Sequence, residues 1–352
     1  MPKNTYAILH NPGHNRVYFE TSRALSMAEF AIAAQNLAAG CTNVRRENIE
    51  GIDYVLFDTE RAMTEADIRV VSELSFVYAL YQVSELGSEL VLKPIRKVCA
   101  EFVDEGIGAI LKYTGKTNEI FTRMMINIAY YSQGSRENIR LLDPIAGKGT
   151  TLYEGLVKGY HVHGIEIGDT VVNEAVQFVK RFLEMARYKF TYAPLKISGP
   201  NKMFTAQRHT FEAARTKEAA KAGDTRKIGL IAGNSVYADR YYPKKYFDII
   251  VGDLPYGVQH GNVTSEKQSS LTRNPAELLG ACLPAWATVL KQGGALALAW
   301  NSNVLPRERM EVLLAANGFA VQKEEPYLQL AHRVDQAIMR DVVVAKKLPQ
   351  PK

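Results

Sequence analysis

Cysteine is scarce in this chain of 352 residues, and what there is lies badly placed for bonding. Cys41, Cys99 and Cys282 are far apart and form no Cys-x-x-Cys pair, which disfavours both a disulfide framework and a zinc site. Reduced thiols in a cytosolic protein are the expectation, with no metal site. Long apolar runs are missing as well: stretches such as Ala295 to Trp300 fall far short of the ~20 residues that a membrane-spanning helix needs. The opening Met1-Pro2-Lys3-Asn4-Thr5-Tyr6 runs into a polar loop at Asn11-Pro12-Gly13 without an apolar signal region, so a cytoplasmic location is expected. There is no internal repeat and no low-complexity tract. The composition, 47% hydrophobic and 23% charged, is that of an ordinary globular protein, and the length suits one large domain or two smaller ones.

Charge of one sign is concentrated in one place. Arg187 to Lys227 holds ten basic residues against Glu212, Glu218 and Asp224, a net +7, which leaves −1 for the rest of a chain whose total is +6. A mobile basic segment on a neutral body suits phosphate-backbone binding; a solvated helix face accounts for the same charges equally well.

The C-terminal half alternates strand and helix signals, as a doubly wound parallel sheet does. Strands are expected at 138–143, 161–167, 228–232, 247–251 and 294–300, and helices at 150–158, 170–187, 275–290 and 307–317. At the end, 319–326 and 336–346 read as two strands with no helix between them, which predicts an antiparallel hairpin at the sheet edge. The first ~85 residues read strand, helix, strand, helix, strand (5–10, 26–39, 53–58, 65–73, 76–83), the size of a small α+β domain. Residues 86–135 are expected to form a largely helical linker with a short strand at 109–113. The catalytic domain then spans 136–348, with 187–227 as a basic insertion.

The strongest local signal is Asp143-Pro144-Ile145-Ala146-Gly147-Lys148-Gly149-Thr150, directly after the first strand of that half. Glycines there let the backbone approach a ligand and present amides at a helix N-terminus. A Walker A loop is excluded because Lys148 precedes Gly149 and Leu142 stands where the first glycine belongs. Gly115-Lys116-Thr117 fails in the same way, at Ile110. The dinucleotide fingerprint fails at Leu152. Adenosylmethionine fits what remains, its methionine end meeting the turn amides and Asp143. Glu166, ending the next strand beside Ile167, is placed to accept both ribose hydroxyls. Asn234, after the third strand, is placed to contact the adenine or else to cap a turn.

The second strong signal is Asp253-Leu254-Pro255-Tyr256-Gly257, after an apolar strand. It resembles the (Asp/Asn/Ser)-Pro-Pro-(Tyr/Phe) motif of amino methyltransferases, with Leu254 in place of the first proline. An exocyclic base nitrogen is a poor nucleophile because its lone pair is delocalised into the ring. Two acceptors, the Asp253 carboxylate and the Leu254 carbonyl, can bind its hydrogens, while Pro255 stiffens the turn and Tyr256 offers a stacking face. Catalysis is then mainly positioning for in-line attack.

Together, Asp143 to Thr150, Gly164-Ile165-Glu166-Ile167 and Asp253 to Gly261 resemble the THUMP-linked tRNA guanosine N2-methyltransferases and their relatives. The resemblance covers roughly residues 115–345. It implies an α/β fold, a class I methyltransferase sheet that is parallel with a C-terminal antiparallel hairpin, preceded by a small α+β domain. It also implies adenosylmethionine as cofactor and RNA, tRNA above all, as partner, with no membrane and no obligatory protein partner. It makes Phe121-Thr122 the segment closing over the cofactor's methionine end. Residues 1–85 hold no recognisable THUMP domain; their size suits the ferredoxin-like domain that precedes it in that family, or a degenerate remnant. Candidate substrate contacts are Tyr256, Gln259 and His260 in and after the motif, Asn301 at a strand end, and Lys196, Lys202 and Arg208 in the basic stretch. Two other readings share these residues: an adenine-N6 or cytosine-N4 methyltransferase acting on DNA or RNA, and a non-catalytic RNA-binding protein.

Overall fold

The computed structural model describes residues 4–11, 16–86, 89–99, 101–110, 116–134, 137–256 and 275–349. The chain divides into two units, Met1–Ala100 with Glu325–Leu330, and Glu101–Glu324 with Ala331–Lys352.

In the first unit β1 (Asn4–His10), α1 (Arg16–Ala34), β2 (Thr42–Ile49), β3 (Ile52–Thr59), α2 (Glu65–Ser72), β4 (Val77–Leu86) and β5 (Glu89–Ile95) follow one another. The five strands pair antiparallel in the order β2-β3-β1-β4-β5. Alternation along β1 and β3 sorts side chains by face: Tyr6 and Ile8 share one with Val55 and Phe57, and Phe57 meets Phe30 of α1 there. Ala7, Tyr54 and Leu56 form a smaller cluster on the other. α2 starts in a capping box, Thr64 Oγ1 accepting from Asp67 N at 3.2 Å and the Asp67 carboxylate accepting from Thr64 N at 2.9 Å. β2 and β5 are absent from the sequence expectation. Both are edge strands, and polar residues such as those of Thr42–Ile49 are what an exposed edge carries, so no apolar alternation announces them.

The second unit runs α3 (Ile107–Ile110), α4 (Glu119–Ser132), β6 (Arg140–Asp143), α5 (Thr150–Val157), β7 (His161–Glu166), α6 (Asp169–Met185), β8 (Lys189–Ser198), β9 (Thr205–Ala214), α7 (Lys217–Lys221), β10 (Arg226–Ala232), α8 (Ala238–Tyr241), β11 (Phe247–Asp253), α9 (Pro275–Val289), β12 (Leu290–Asn301), α10 (Arg307–Ala316) and β13 (Phe319–Val321). After α11 (Glu325–Leu328), β14 (His332–Arg333) and β15 (Met339–Lys347) complete it. The sheet order is β13-β15-β12-β11-β6-β7-β10-β9-β8, with β14 beside β15. β10, β7, β6, β11 and β12 are parallel; β15 and β13 at one end, and β9 and β8 at the other, are antiparallel. Parallel strands covered on both faces need continuous apolar runs, and Ala295 to Trp300 is fully buried. α6 buries Val172, Ala175, Val176, Val179 and Leu183, a helical stripe, whereas all of α5 is buried.

Four expectations are corrected. The span 86–135 is not one linker: β5 completes the first sheet, and α4 packs on β12 and β11 of the second. The strand at 109–113 is not formed in its described part, which lies in α3. The basic stretch is largely strand rather than one solvated helix face: β8 and β9 form a hairpin that extends the parallel sheet along β10, while Lys217 and Lys221 lie on the short exposed helix α7. Beyond Val321 the expected strand 319–326 stops, and the helix α11 intervenes before β15, although β13 and β15 do pair as an antiparallel edge.

Candidate active site

β6 and β11 lie side by side at the centre of the sheet, and the chain leaves them in opposite directions, towards β7 and β10 from one and β12 from the other. Such a switch point opens a crevice at the carboxyl ends of the strands. Both strands end in an aspartate, Asp143 and Asp253. A cavity of about 520 Å³ opens there, within the range of small-molecule sites. Ile145, Ile165, Val236 and Leu278 give it apolar walls, and Glu166, Asp169, Asn234, Ser235 and Asp253 bring polar groups.

The glycine turn after β6 is built for tightness. Gly147 (φ +50°) and Gly149 (φ +94°) adopt left-handed conformations that disfavour other residues. Gly164 of β7 lies under the loop, where an added Cβ would meet Ala146 and Leu152 at 2.8 Å. The turn amides serve the fold itself: Ala146 N donates to Ile165 O (2.9 Å), Gly149 N to Ala146 O (2.8 Å) and Gly147 N to a Glu166 oxygen (3.0 Å). The other Glu166 oxygen accepts from Gly168 N at 2.9 Å, which aims the carboxylate at the cavity wall. Asp143 is buried and accepts from Ile145 N at 3.0 Å. Burial pushes its carboxyl up to about 7, and the neighbouring Asp253 and Glu166 charges push the same way.

Of the expected cofactor contacts, Pro144, Glu166, Ile167, Asn234 and Asp253 line the cavity. Asn234 also caps the turn that follows it, Oδ1 accepting from Val236 N at 3.0 Å. Ala146, Gly147, Gly149 and Thr150 form the turn and the start of α5 without lining the cavity. Thr122 is buried in α4, its hydroxyl bonded to Asn118 O at 3.0 Å. Thr205 of the basic hairpin lines the cavity, a contribution that sequence pattern does not announce.

At the end of β11, Asp253 gathers three groups. Tyr256 Oη donates to one carboxylate oxygen at 2.5 Å and Thr117 Oγ1 to the other at 2.8 Å, while Arg340 Nη2 stands 4.0 Å away. The Arg340 guanidinium lies over the rings of Phe121 (4.3 Å) and Tyr256 (5.2 Å). Contacts of this kind contribute about 0.5–2 kcal/mol each, more as water is excluded. Burial raises the Asp253 carboxyl above its ordinary range, with Arg340 and the Tyr256 and Thr117 hydroxyls opposing. Leu254 is buried and bonded through its N–H to Ala299 O (2.8 Å), while Pro255 lines the cavity.

The expected substrate contacts disperse. Asn301 is buried and ties the motif to the last hairpin: its amide reaches Tyr256 O and Ala337 O at 3.3 Å, and its carbonyl oxygen accepts from Met339 N at 3.2 Å. Arg208 turns inward, its guanidinium capping the Tyr241 carbonyl and lying over Tyr242. Lys196 and Lys202 are exposed on the hairpin. Gln259 and His260 lie outside the described residues. Thr117 and Arg340 escape sequence reading, one inside a string discarded as a phosphate loop and the other in a strand that reads only as sheet edge.

The five parallel strands ordered about a central switch, closed by an antiparallel β15 inserted beside β12, make this the class I methyltransferase fold. No protein-family model matches the sequence, and no curated protein matches it. Among solved structures, TrmN from Thermus thermophilus is similar at 14% identity over 98% of this chain and 100% of its own, with a TM-score of 0.41. A protein from Pyrococcus horikoshii described as an RNA methyltransferase is similar at 14% identity over 69% of this chain and 95% of its own (TM-score 0.39). So is a ribosomal protein L11 methylase from Lactobacillus delbrueckii subsp. bulgaricus, at 16% identity over 65% and 80% (TM-score 0.35). Such a fold hosts many substrates, and function has to be argued from the site.

Proposed function

We propose that this chain is an S-adenosylmethionine-dependent methyltransferase that modifies an exocyclic base nitrogen in RNA, guanine N2 of tRNA or another structured RNA, as in the THUMP-linked enzymes it resembles. One observation carries the reading: Asp253-Leu254-Pro255-Tyr256 closes the end of β11 on the same cavity that bears Glu166.

The residues present suit a nucleoside cofactor. Glu166 offers a carboxylate to a ribose diol, and Ile145, Ile165, Val236 and Leu278 form an apolar slot for a flat base. When bound, adenosylmethionine supplies the electrophilic methyl group. Everything else falls to the chain. The Tyr256 and Thr117 hydroxyls now occupy the Asp253 oxygens, and the hydrogens of a base amine take their place. The nitrogen lone pair, drawn out of conjugation, is then directed at the methyl group. Protonation removes the charge of Asp253 and turns one of its oxygens into a donor, so activity declines as pH falls through its raised range.

Lys196 and Lys202 on the hairpin are assigned to the RNA backbone. Changing both to glutamine lowers the slope of log affinity against log salt by about 0.7–0.9 per lysine, read by RNA binding at several salt concentrations. An unchanged slope returns them to a solvated surface.

The test of function is transfer of labelled methyl from adenosylmethionine to unmodified tRNA, ribosomal RNA and genomic DNA, followed by nucleoside analysis. N2-methylguanosine in tRNA is the expected product. Label confined to adenine or cytosine of DNA overturns the guanine reading, and no transfer with no cofactor binding at millimolar concentration overturns the enzyme.

A further inference from the structure

Among the described residues Arg340 is the cation beside Asp253, and nothing in its local sequence marks it. β15 brings it there: it pairs in register with Asn301 of β12 on one side and His332 of β14 on the other. It is 7% exposed, and its Nε has no hydrogen-bond partner among the described residues. A buried guanidinium with an unpaired N–H is costly, and an arginine held only for packing is readily replaced by an apolar side chain. What offsets the cost is specific. The guanidinium carbon lies over two aromatic rings, 4.3 Å from the Phe121 centroid and 5.2 Å from that of Tyr256, and Nη2 stands 4.0 Å from the Asp253 carboxylate. The arrangement settles two things about the motif. One face of Tyr256 is covered by the guanidinium, so a base can stack only on the other. Asp253, partly buried and close enough to Asp143 to raise its carboxyl, has Arg340 as its neighbouring positive group among the described residues.

We propose that Arg340 is a positioning residue for the methyl acceptor: it fixes the plane of Tyr256 and keeps Asp253 charged and in place when the Tyr256 and Thr117 hydroxyls yield to the base amine. This rests on the roles of Asp253 and Tyr256 proposed above. The positioning is electrostatic at Asp253 and geometric at Tyr256, and the two parts separate on substitution. Lysine keeps the charge but has no plane to lay over the two rings. Methionine keeps much of the stem and loses both.

The experiment compares the full chain with Arg340→Lys and Arg340→Met, checking first by circular dichroism that each folds. Methyl transfer to RNA is followed against pH, and the Asp253 carboxyl is titrated by carbon-13 NMR, its signal assigned with Asp253→Asn. In Arg340→Met, kcat falls roughly 10²-fold, the cost of a misplaced reacting group, while the KM for RNA stays near that of the unaltered chain. The acid limb of kcat/KM and the Asp253 titration both move up by about one to two pH units, the effect of removing an adjacent opposite charge. Arg340→Lys restores the limb and leaves kcat low. A folded Arg340→Met with unaltered kcat and acid limb overturns the proposal. If Arg340→Met does not fold, Arg340→Lys with full kcat overturns it instead. Should the unaltered chain methylate no RNA base, the functional reading falls by itself. The Asp253 titration then still decides Arg340: a rise in the variant sustains its electrostatic role, and no movement ends it.

Discussion

Asp253→Asn is expected to lower the methyl-transfer rate by about 10³-fold, the scale of removing a charged group aimed at the reacting centre. Asparagine has the same shape but one acceptor oxygen in place of two, and its amide presents hydrogens to an amine that also presents hydrogens. The damage is confined to the rim. Glu166 and the apolar walls are untouched, so adenosylmethionine affinity measured by calorimetry remains largely unchanged. Some stability is lost as well, because Arg340 is left facing a neutral group and a buried unmatched cation is costly. A variant with full turnover would remove Asp253 from the reaction. One with low turnover and equally low cofactor affinity would make it a cavity-wall residue rather than the acceptor of the base amine.

The second large effect is on folding. Trp286 of α9 is fully buried in the core of the second unit, and its Nε1 donates to Ser235 Oγ at 2.9 Å. Trp286→Ala deletes the ring and leaves both a cavity and an unpaired hydroxyl. Together these cost about 3–5 kcal/mol, a large share of the stability of an ordinary domain. Denaturant unfolding followed by circular dichroism measures the loss. Because Ser235 also lines the cavity, cofactor affinity falls with stability in this variant, which Asp253→Asn does not show. A loss below 1 kcal/mol would mean that the core closes over the gap and that Trp286 is not its keystone.

Much of this was open to reading along the chain. The parallel strands are apolar runs bounded by turn residues, and α6 is a stripe of buried residues at helical spacing; both are local signals with local causes. Glu166 and Asp253 stand at strand ends and are therefore visible as candidates once the strands are. The basic hairpin was not. The lysines of β8 read as charge and not as strand because β8 is an edge, and an edge strand has little apolar alternation to show. Arg208 was misjudged for a related reason: charge says nothing about which side of a strand a residue takes, and the register of β9 turns this one inward to Tyr241 and Tyr242.

By itself the sequence determined the alternating architecture, the turn after β6 and the acidic motif after β11, since each depends on residues within a few positions of one another. Only the tertiary structure decided what surrounds Asp253. Thr117 reaches it across 136 positions of chain, and Arg340 arrives on the last strand because β15 inserts beside β12, so the partners of the carboxylate follow from strand order and register, which no local pattern encodes.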